Sequence, residues 1–152
     1  MSNEDLKTAI SGLLPAAVFE EGGQWLTVQV EPGDWHTLAG QLRNSGDLLF
    51  DYLFCLTCID WKTNLTMVYH LDSTRFRHNI VVKSKLAANA PSIDTVSDTW
   101  RTAEFHEREV YEMFGVSFNN HPDLRLLILP DGWEGKRPLL KDFEDPVNMI
   151  RL

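Results

Sequence analysis

The run EFHEREVYEMFG, residues 104–115, sets Glu107, Arg108 and Glu109 among Phe105, Val110, Tyr111, Met113 and Phe114. Side chains of these types do three kinds of chemistry: paired carboxylates move protons, histidine and carboxylate hold metals, and glutamate with arginine forms buried ion pairs. Spacing separates the three. HEREV begins like the helix motif in which two histidines one turn apart bind zinc beside a glutamate base, but Val110 occupies the second histidine position. Glu107 and Glu109, two residues apart on a helix, diverge by about 200° and do not converge on one substrate. At helical spacing Trp100, Ala103, Glu107, Val110 and Phe114 share one apolar stripe, so Glu107 lies on the buried side. A carboxylate there must be paired, protonated or functional, because burying it unpaired is costly. Arg125 or Arg137 is its expected partner. Arg108 falls between Glu104 and Glu112 at i±4, the spacing at which side chains on one helix face pair.

The remaining candidates for chemistry are weaker. The histidines at 36, 70, 78, 106 and 121 have no recognised ligand spacing. Cys55 and Cys58 spell C-x-x-C, but on a strand they project to opposite faces, and no second pair completes a metal site. Two buried core cysteines are expected instead. The chain has no G-x-S-x-G, glycine-rich phosphate loop or dinucleotide fingerprint. A scaffold therefore ranks above an enzyme, the alternative being a stand-alone enzyme using Glu107, His106 and His121 in hydrolysis or metal chemistry.

The elements that would position these residues follow from periodicity. Residues 4–14 read as a short helix stopped by Pro15, and QWLTVQVE alternates as a half-buried strand ended by Pro32 and Gly33. Asp34 is placed to cap a second helix carrying Trp35, Leu38 and Leu42. Three β-rich runs, LLFDYLFCLTCIDW, LTMVYHL and RHNIVVKSK, are joined by short turns and imply an antiparallel meander. Asp98 or Thr99 is expected to start the helix of the charged run, and Gly115 to cap its end. Beyond it comes one strand, Leu126 to Leu129, then a segment without period that keeps Trp133, Leu139, Leu140, Phe143, Met149, Ile150 and Leu152. Prolines at 130, 138 and 146 stiffen it, so it reads either as an extended arm laid along a partner or as a tail folded on its own domain. The predicted class is α+β: a mainly antiparallel sheet of about four to five strands with helices packed on it and an extended C-terminal arm. Its divisions are a core domain over 1–118 and an arm over 119–152 that begins with HPDLR.

A 43% hydrophobic content suffices for one core, and a formal net charge of −8 offers no basic footprint for nucleic acid or an anionic lipid surface. The longest apolar run is broken by Asp51 and too short to span a bilayer. The acidic N-terminus lacks the features of a secretory signal, so the chain is expected in the cytosol or on the cytosolic face of a larger body.

The stretch HEREVYEMFGVSFNNHPDLRLLILPDGWEGKRPLLKDF closely resembles the signature of the NuoC-type, or 30 kDa, subunit family of respiratory complex I. The matching elements are Glu107-Arg108-Glu109, Tyr111-Glu112, Phe114-Gly115, His121-Pro122-Asp123-Leu124-Arg125, Trp133-Glu134-Gly135, Pro138-Leu139 and Lys141-Asp142. It departs from the family at Glu112, where aspartate is usual, at Leu126 and Leu140, where arginine is common, and by one extra residue between Gly135 and Pro138.

The resemblance implies an α+β subunit of a proton-translocating NADH:quinone oxidoreductase with no catalytic residue, cofactor or metal of its own. NADH, FMN, iron–sulfur clusters and quinone would belong to partner subunits. The implied partners are the quinone-site (49 kDa-type) subunit and the terminal iron–sulfur subunit, with membrane association only through them, on the cytoplasmic side. Glu107, Arg108, Glu109, Tyr111, His121, Pro122, Arg125, Trp133, Lys141 and Asp142 would serve structure and the partner interface. The same module occurs in ferredoxin- or coenzyme-F420-linked complexes and membrane hydrogenases.

Overall fold

The computed structural model of the protein describes residues 1–150; Leu152, counted above among the apolar residues of the arm, lies outside them. Helix α1 (Asn3–Leu13) starts where Ser2 accepts from the Asp5 N–H while the Asp5 carboxylate accepts from the Ser2 N–H, and it buries Leu6 and Ile10 one turn apart. Strand β1 (Val18–Glu20) is too short to show a period. It pairs antiparallel with β2 (Thr27–Gln29), the centre of the alternating run, where Leu26, Val28 and Val30 are buried as expected.

The strand ends before Pro32 and Gly33 as expected, but helix α2 (Pro32–Asn44) begins at that proline and corrects the reading of Asp34 as its cap. Proline lacks the N–H that a first helical turn leaves unbonded anyway, so it opens the helix. Glu31 occupies the cap position, and Asp34 lies inside the first turn without a side-chain capping bond. Its apolar face buries Trp35, Leu38, Ala39 and Leu42.

The meander forms as expected: β3 (Tyr52–Asp60), β4 (Asn64–Asp72) and β5 (Asn79–Ala87) are joined antiparallel. Strand β2 then lies parallel to β5, giving the order β1-β2-β5-β4-β3. A register shift between Leu53 and Cys55 marks a bulge in β3. Cys58 is buried and Cys55 only half-buried, so one thiol, not two, belongs to the core. Burial pushes the Cys58 thiol up to about 12, which leaves it unreactive.

A second, two-stranded parallel sheet joins β6 (Ser92–Asp94) to β7 (Ser117–Asn119) and brackets helix α3 (Ala103–Phe114). The helix begins four residues after Thr99 because the chain before it is tied to the start of β3: the Trp100 indole donates to the Phe50 carbonyl and the Thr102 hydroxyl to that of Leu53. Gly115 ends it at φ 81°, as the sequence predicts. The expected strand at Leu126–Leu129 does not form. No helix among the described residues is long and apolar enough to cross a membrane.

Candidate functional site

Helix α3 lies beside β3, and its charged residues face two different surroundings. Glu107 is 0% exposed and turns toward the chain leaving β6. The Thr95 hydroxyl lies 2.5 Å from its Oε1, and the Val96 N–H donates to its Oε2 at 3.2 Å. Neither expected arginine reaches it: Arg125 pairs with Asp123 at the surface, and Arg137 lies against Gly115. His121 comes within 4.0 Å, and both side chains are fully buried. That histidine places Nε2 3.0 Å from the Glu104 carbonyl and accepts the Asp123 N–H at Nδ1. An imidazole that accepts on one nitrogen and donates on the other is neutral, so no cation balances Glu107. Loss of water is the main cause that pushes its acid up to about 8, with the charges of Asp98 and Glu104 adding to it against the bonds from Thr95 and Val96. At pH 7 Glu107 is a neutral acid, the second of the three ways a carboxyl can sit on an apolar stripe.

The other face of α3 grips backbone. Arg108 does not pair with Glu104 or Glu112; its Nε donates to the Arg125 carbonyl at 3.1 Å and its Nη2 to the Leu126 carbonyl at 2.6 Å. The guanidinium also lies 5.5 Å from the Phe105 ring centre. Glu112 accepts the N–H groups of Leu127, Ile128 and Leu129 at 2.9, 2.9 and 3.2 Å. Three successive amides wrapped around one carboxylate cannot also build a strand ladder, which is why residues 126–129 are irregular.

The chain returns to the far end of the helix. Leu139 donates to the Met113 carbonyl at 3.0 Å, one of the acceptors a helix end leaves unbonded. Arg137 packs against Gly115 so closely that a Cβ there would overlap its guanidinium. The carboxylate of Asp60, at the end of β3, accepts from the Lys141 and Lys62 N–H groups at 2.8 and 2.7 Å, bonds that hold its carboxyl below the usual range. Lys141 also lies 5.9 Å from the centre of the Trp61 ring. Residues 121–141 thus run back over α3, fastened at its start, middle and end.

Of the remaining signature residues, Glu109 is exposed, Tyr111 is half-buried against the core, and Pro122 borders an open cleft of about 500 Å³. Trp133 stacks loosely on Phe143 beneath Lys136, while Asp142 is exposed. Three residues that organise the site were missed: Thr95, Asp60, and Glu112 in its amide-binding role. Glu112 had a signal, its place one turn from Arg108, and Asp60 a weaker one, the aspartate–aromatic end of the run CIDW; Thr95 had none, because it meets its partner only through the fold. The structure brings Glu107 and His121 together, but neither is open to a substrate. Among the described residues no group of three or more histidine, cysteine, aspartate or glutamate side chains is arranged to hold a metal.

Comparison with known proteins matches residues 28–147 to the family described as respiratory-chain NADH dehydrogenase, 30 Kd subunit. The NADH-quinone oxidoreductase subunit designated C/D in Phocaeicola vulgatus is 45% identical over 104 residues, covering 67% of this chain and 20% of that protein. The one designated C in Chloroherpeton thalassium is 38% identical over 112 residues, covering 72% of this chain and 46% of that one. The chain therefore spans a fifth to about half the length of these relatives. Among solved structures, a chain of the membrane-bound sulfane sulfur reductase, an archaeal respiratory membrane complex, superposes with a TM-score of 0.81 at 26% identity, over 93% of this chain and 85% of that one.

Proposed function

The chain belongs to the family of the respiratory-chain NADH dehydrogenase 30 Kd subunit, and from that premise we propose that it is a scaffolding subunit of a proton-translocating NADH:quinone oxidoreductase. In this reading the complex carries electrons from NADH to quinone, and this chain positions its neighbours without a cofactor of its own. NADH, FMN, iron–sulfur clusters and quinone are bound by those neighbours, of which the quinone-site (49 kDa-type) subunit and the terminal iron–sulfur subunit lie against this chain. It sits peripherally on the cytoplasmic side of the membrane and is held there through them.

The observation that carries the proposal is the fastening of the arm to α3. Residues 1–118 form the core in this division, and 119–152 the partner-binding arm. Arg108, Glu112 and Asp60 fix the arm by its backbone, and while Leu124 and Leu140 pack against the core, other apolar side chains of the arm are left outside it. Within the fastened stretch Ile128 is 62% exposed, with Leu127 and Leu139 also exposed. An apolar surface already held in shape loses less entropy on docking, as a permanent heteromeric interface of more than about 2,000 Å² requires. Glu107, Arg108, Tyr111, His121 and Lys141 serve as fasteners in this reading, with Glu109, Pro122, Arg125, Trp133 and Asp142 on the face offered to partners.

A second reading places the same module in a complex with another electron donor or acceptor, such as a ferredoxin- or F420-linked dehydrogenase or a membrane hydrogenase. The likeness to a chain of a sulfane sulfur reductase favours keeping it. Gentle-detergent extraction of host membranes carrying a tagged copy, followed by mass spectrometry, separates the readings. Recovery of iron–sulfur and quinone-site subunits with an NADH-binding module supports the first, and a different donor module the second. A lone chain that turns over a substrate would sink both.

A further inference from the structure

Glu107 is fully buried, yet its hydrogen bonds lead to open space. Thr95 Oγ1 lies 2.5 Å from Glu107 Oε1 and 2.8 Å from Ser97 Oγ, and it accepts the Ser97 N–H at 3.1 Å. A threonine hydroxyl has one proton and two lone pairs. With one lone pair taken by the Ser97 amide, one donor and one acceptor remain for the two oxygens. Only two arrangements satisfy this. Either Glu107 donates to Thr95 and Thr95 to Ser97, or Ser97 donates to Thr95 and Thr95 to Glu107. The first requires the carboxylic acid and the second accommodates the carboxylate, so the chain is well formed in both protonation states. Ser97 borders the cleft of about 500 Å³, at whose mouth His36 and Asp98 lie 2.8 Å apart.

We infer that Glu107, Thr95 and Ser97 form a proton path from this cleft to the buried carboxyl, making Glu107 an exchangeable proton-binding site that governs how firmly His121 holds the start of the arm. The step balances. Glu107 gives its proton to Thr95 Oγ1 as Thr95 gives its own to Ser97 Oγ and Ser97 gives its own to solvent in the cleft; one carboxylate is left and both hydroxyls are restored.

The charged and titratable groups around Glu107 are Asp98 on the chain before α3, Glu104 on α3, Tyr69 on β4, and His121 after β7. Arg108, its neighbour on α3, is already bonded to the carbonyls of Arg125 and Leu126. The Tyr69 hydroxyl, buried without a hydrogen-bond partner among the described residues, feels the same charge, but His121 is the group whose Nε2 already lies 4.0 Å from Glu107 Oε1 and can turn to answer a new negative charge. Its Nε2–H, now 3.0 Å from the Glu104 carbonyl, is drawn toward Glu107, 4.0 Å away. Turning the ring breaks the Asp123 N–H bond to Nδ1 and loosens residues 121–123 from the helix. Burial holds the acid up to about 8, which puts this change in a range that solution experiments reach. The inference does not depend on which complex the chain serves, since the full-length chain alone tests it.

Two measurements decide it. In the first, carbon-13-labelled glutamate is followed by NMR between about pH 5 and 10, with Glu107→Gln supplying the assignment, alongside amide hydrogen exchange at Asp123. The expected result is a Glu107 midpoint near 8 and a matching rise in Asp123 exchange that Glu107→Gln abolishes. A carboxyl that titrates in the ordinary range, or an Asp123 amide indifferent to Glu107, overturns the switch. In the second, a stopped-flow jump to alkaline pH is read by the infrared band of the protonated carboxyl. Ionisation should finish within the mixing time in the parent chain and run on measurably beyond it in Thr95→Val. Ser97→Ala, which leaves the core untouched, should slow it likewise and stands in if Thr95→Val does not fold. Equal rates in all three chains would show that the proton leaves by another route and overturn the path.

Discussion

Two carboxyl groups on α3, five positions apart, are both buried and are used in opposite ways. Glu107 faces the β6 side, takes one amide and one hydroxyl, has no cation beside it, and keeps its proton at neutral pH. Glu112 faces the arm and takes three successive amides, enough partial positive charge to hold a carboxylate without an arginine. The difference teaches that burial alone does not set a charged residue's role. What matters is how many oriented donors the fold aims at it. The β6 side is a place where a proton is stored, and the arm side one where backbone is gripped.

The largest effect that would break this comparison is a pH dependence of stability. Since the Glu107 acid is raised from the ordinary 4.5 to about 8, the folded chain holds one proton more than the unfolded chain between those values. Its contribution is therefore whole below about pH 4.5 and lost as pH rises through about 8, at no more than about 1.4 kcal/mol per pH unit. Glu107→Gln is neutral throughout and should show no such slope. The test is the difference between the two chains' urea unfolding free energies at several pH values; parallel curves would mean that Glu107 is already ionised.

Next in size, Glu112→Ala strips the carboxylate from three amides and should cost about 3 kcal/mol while releasing the arm, read by urea unfolding and by faster hydrogen exchange at residues 127–129. Unchanged exchange there would remove the gripping role. Gly115→Ala should cost about 1–2 kcal/mol for the left-handed backbone, with a further loss from displacing Arg137, measured by thermal unfolding. Smallest is Asp60→Asn at the exposed end of the arm, expected to cost less than about 1 kcal/mol yet to speed proteolysis near Lys141.

How much of this was legible in the sequence depends on the range of the interaction. The meander and the stripe through Glu107 were readable because their periods are local, and the need for Glu107 to be paired, protonated or functional followed from the stripe alone. Its actual surroundings were not readable: Thr95 follows β6, a three-residue strand with no period, placed by pairing with β7 and by packing against α2. The helix-face spacing of Arg108 was equally plain, but the partners it suggested were side chains. Backbone carbonyls and amides carry no sequence signal, so the grip on residues 125–129 stayed hidden and the segment passed for a strand. The start of α2 was misplaced at Asp34 because Pro32 both ends the strand and opens the helix, and only the first role was read. The family signature was readable because many matching residues are spaced over 106–143, which no single local motif provides.

The most direct test of the central claim, that α3 holds the arm in shape for docking, is to extract host membranes carrying tagged parent chain or Glu112→Ala side by side and quantify what co-elutes. The account predicts oxidoreductase subunits in full yield with the parent and strongly reduced yield with Glu112→Ala, while circular dichroism shows the variant's core still folded. Equal recovery from both would contradict it and place the docking surface elsewhere on the chain.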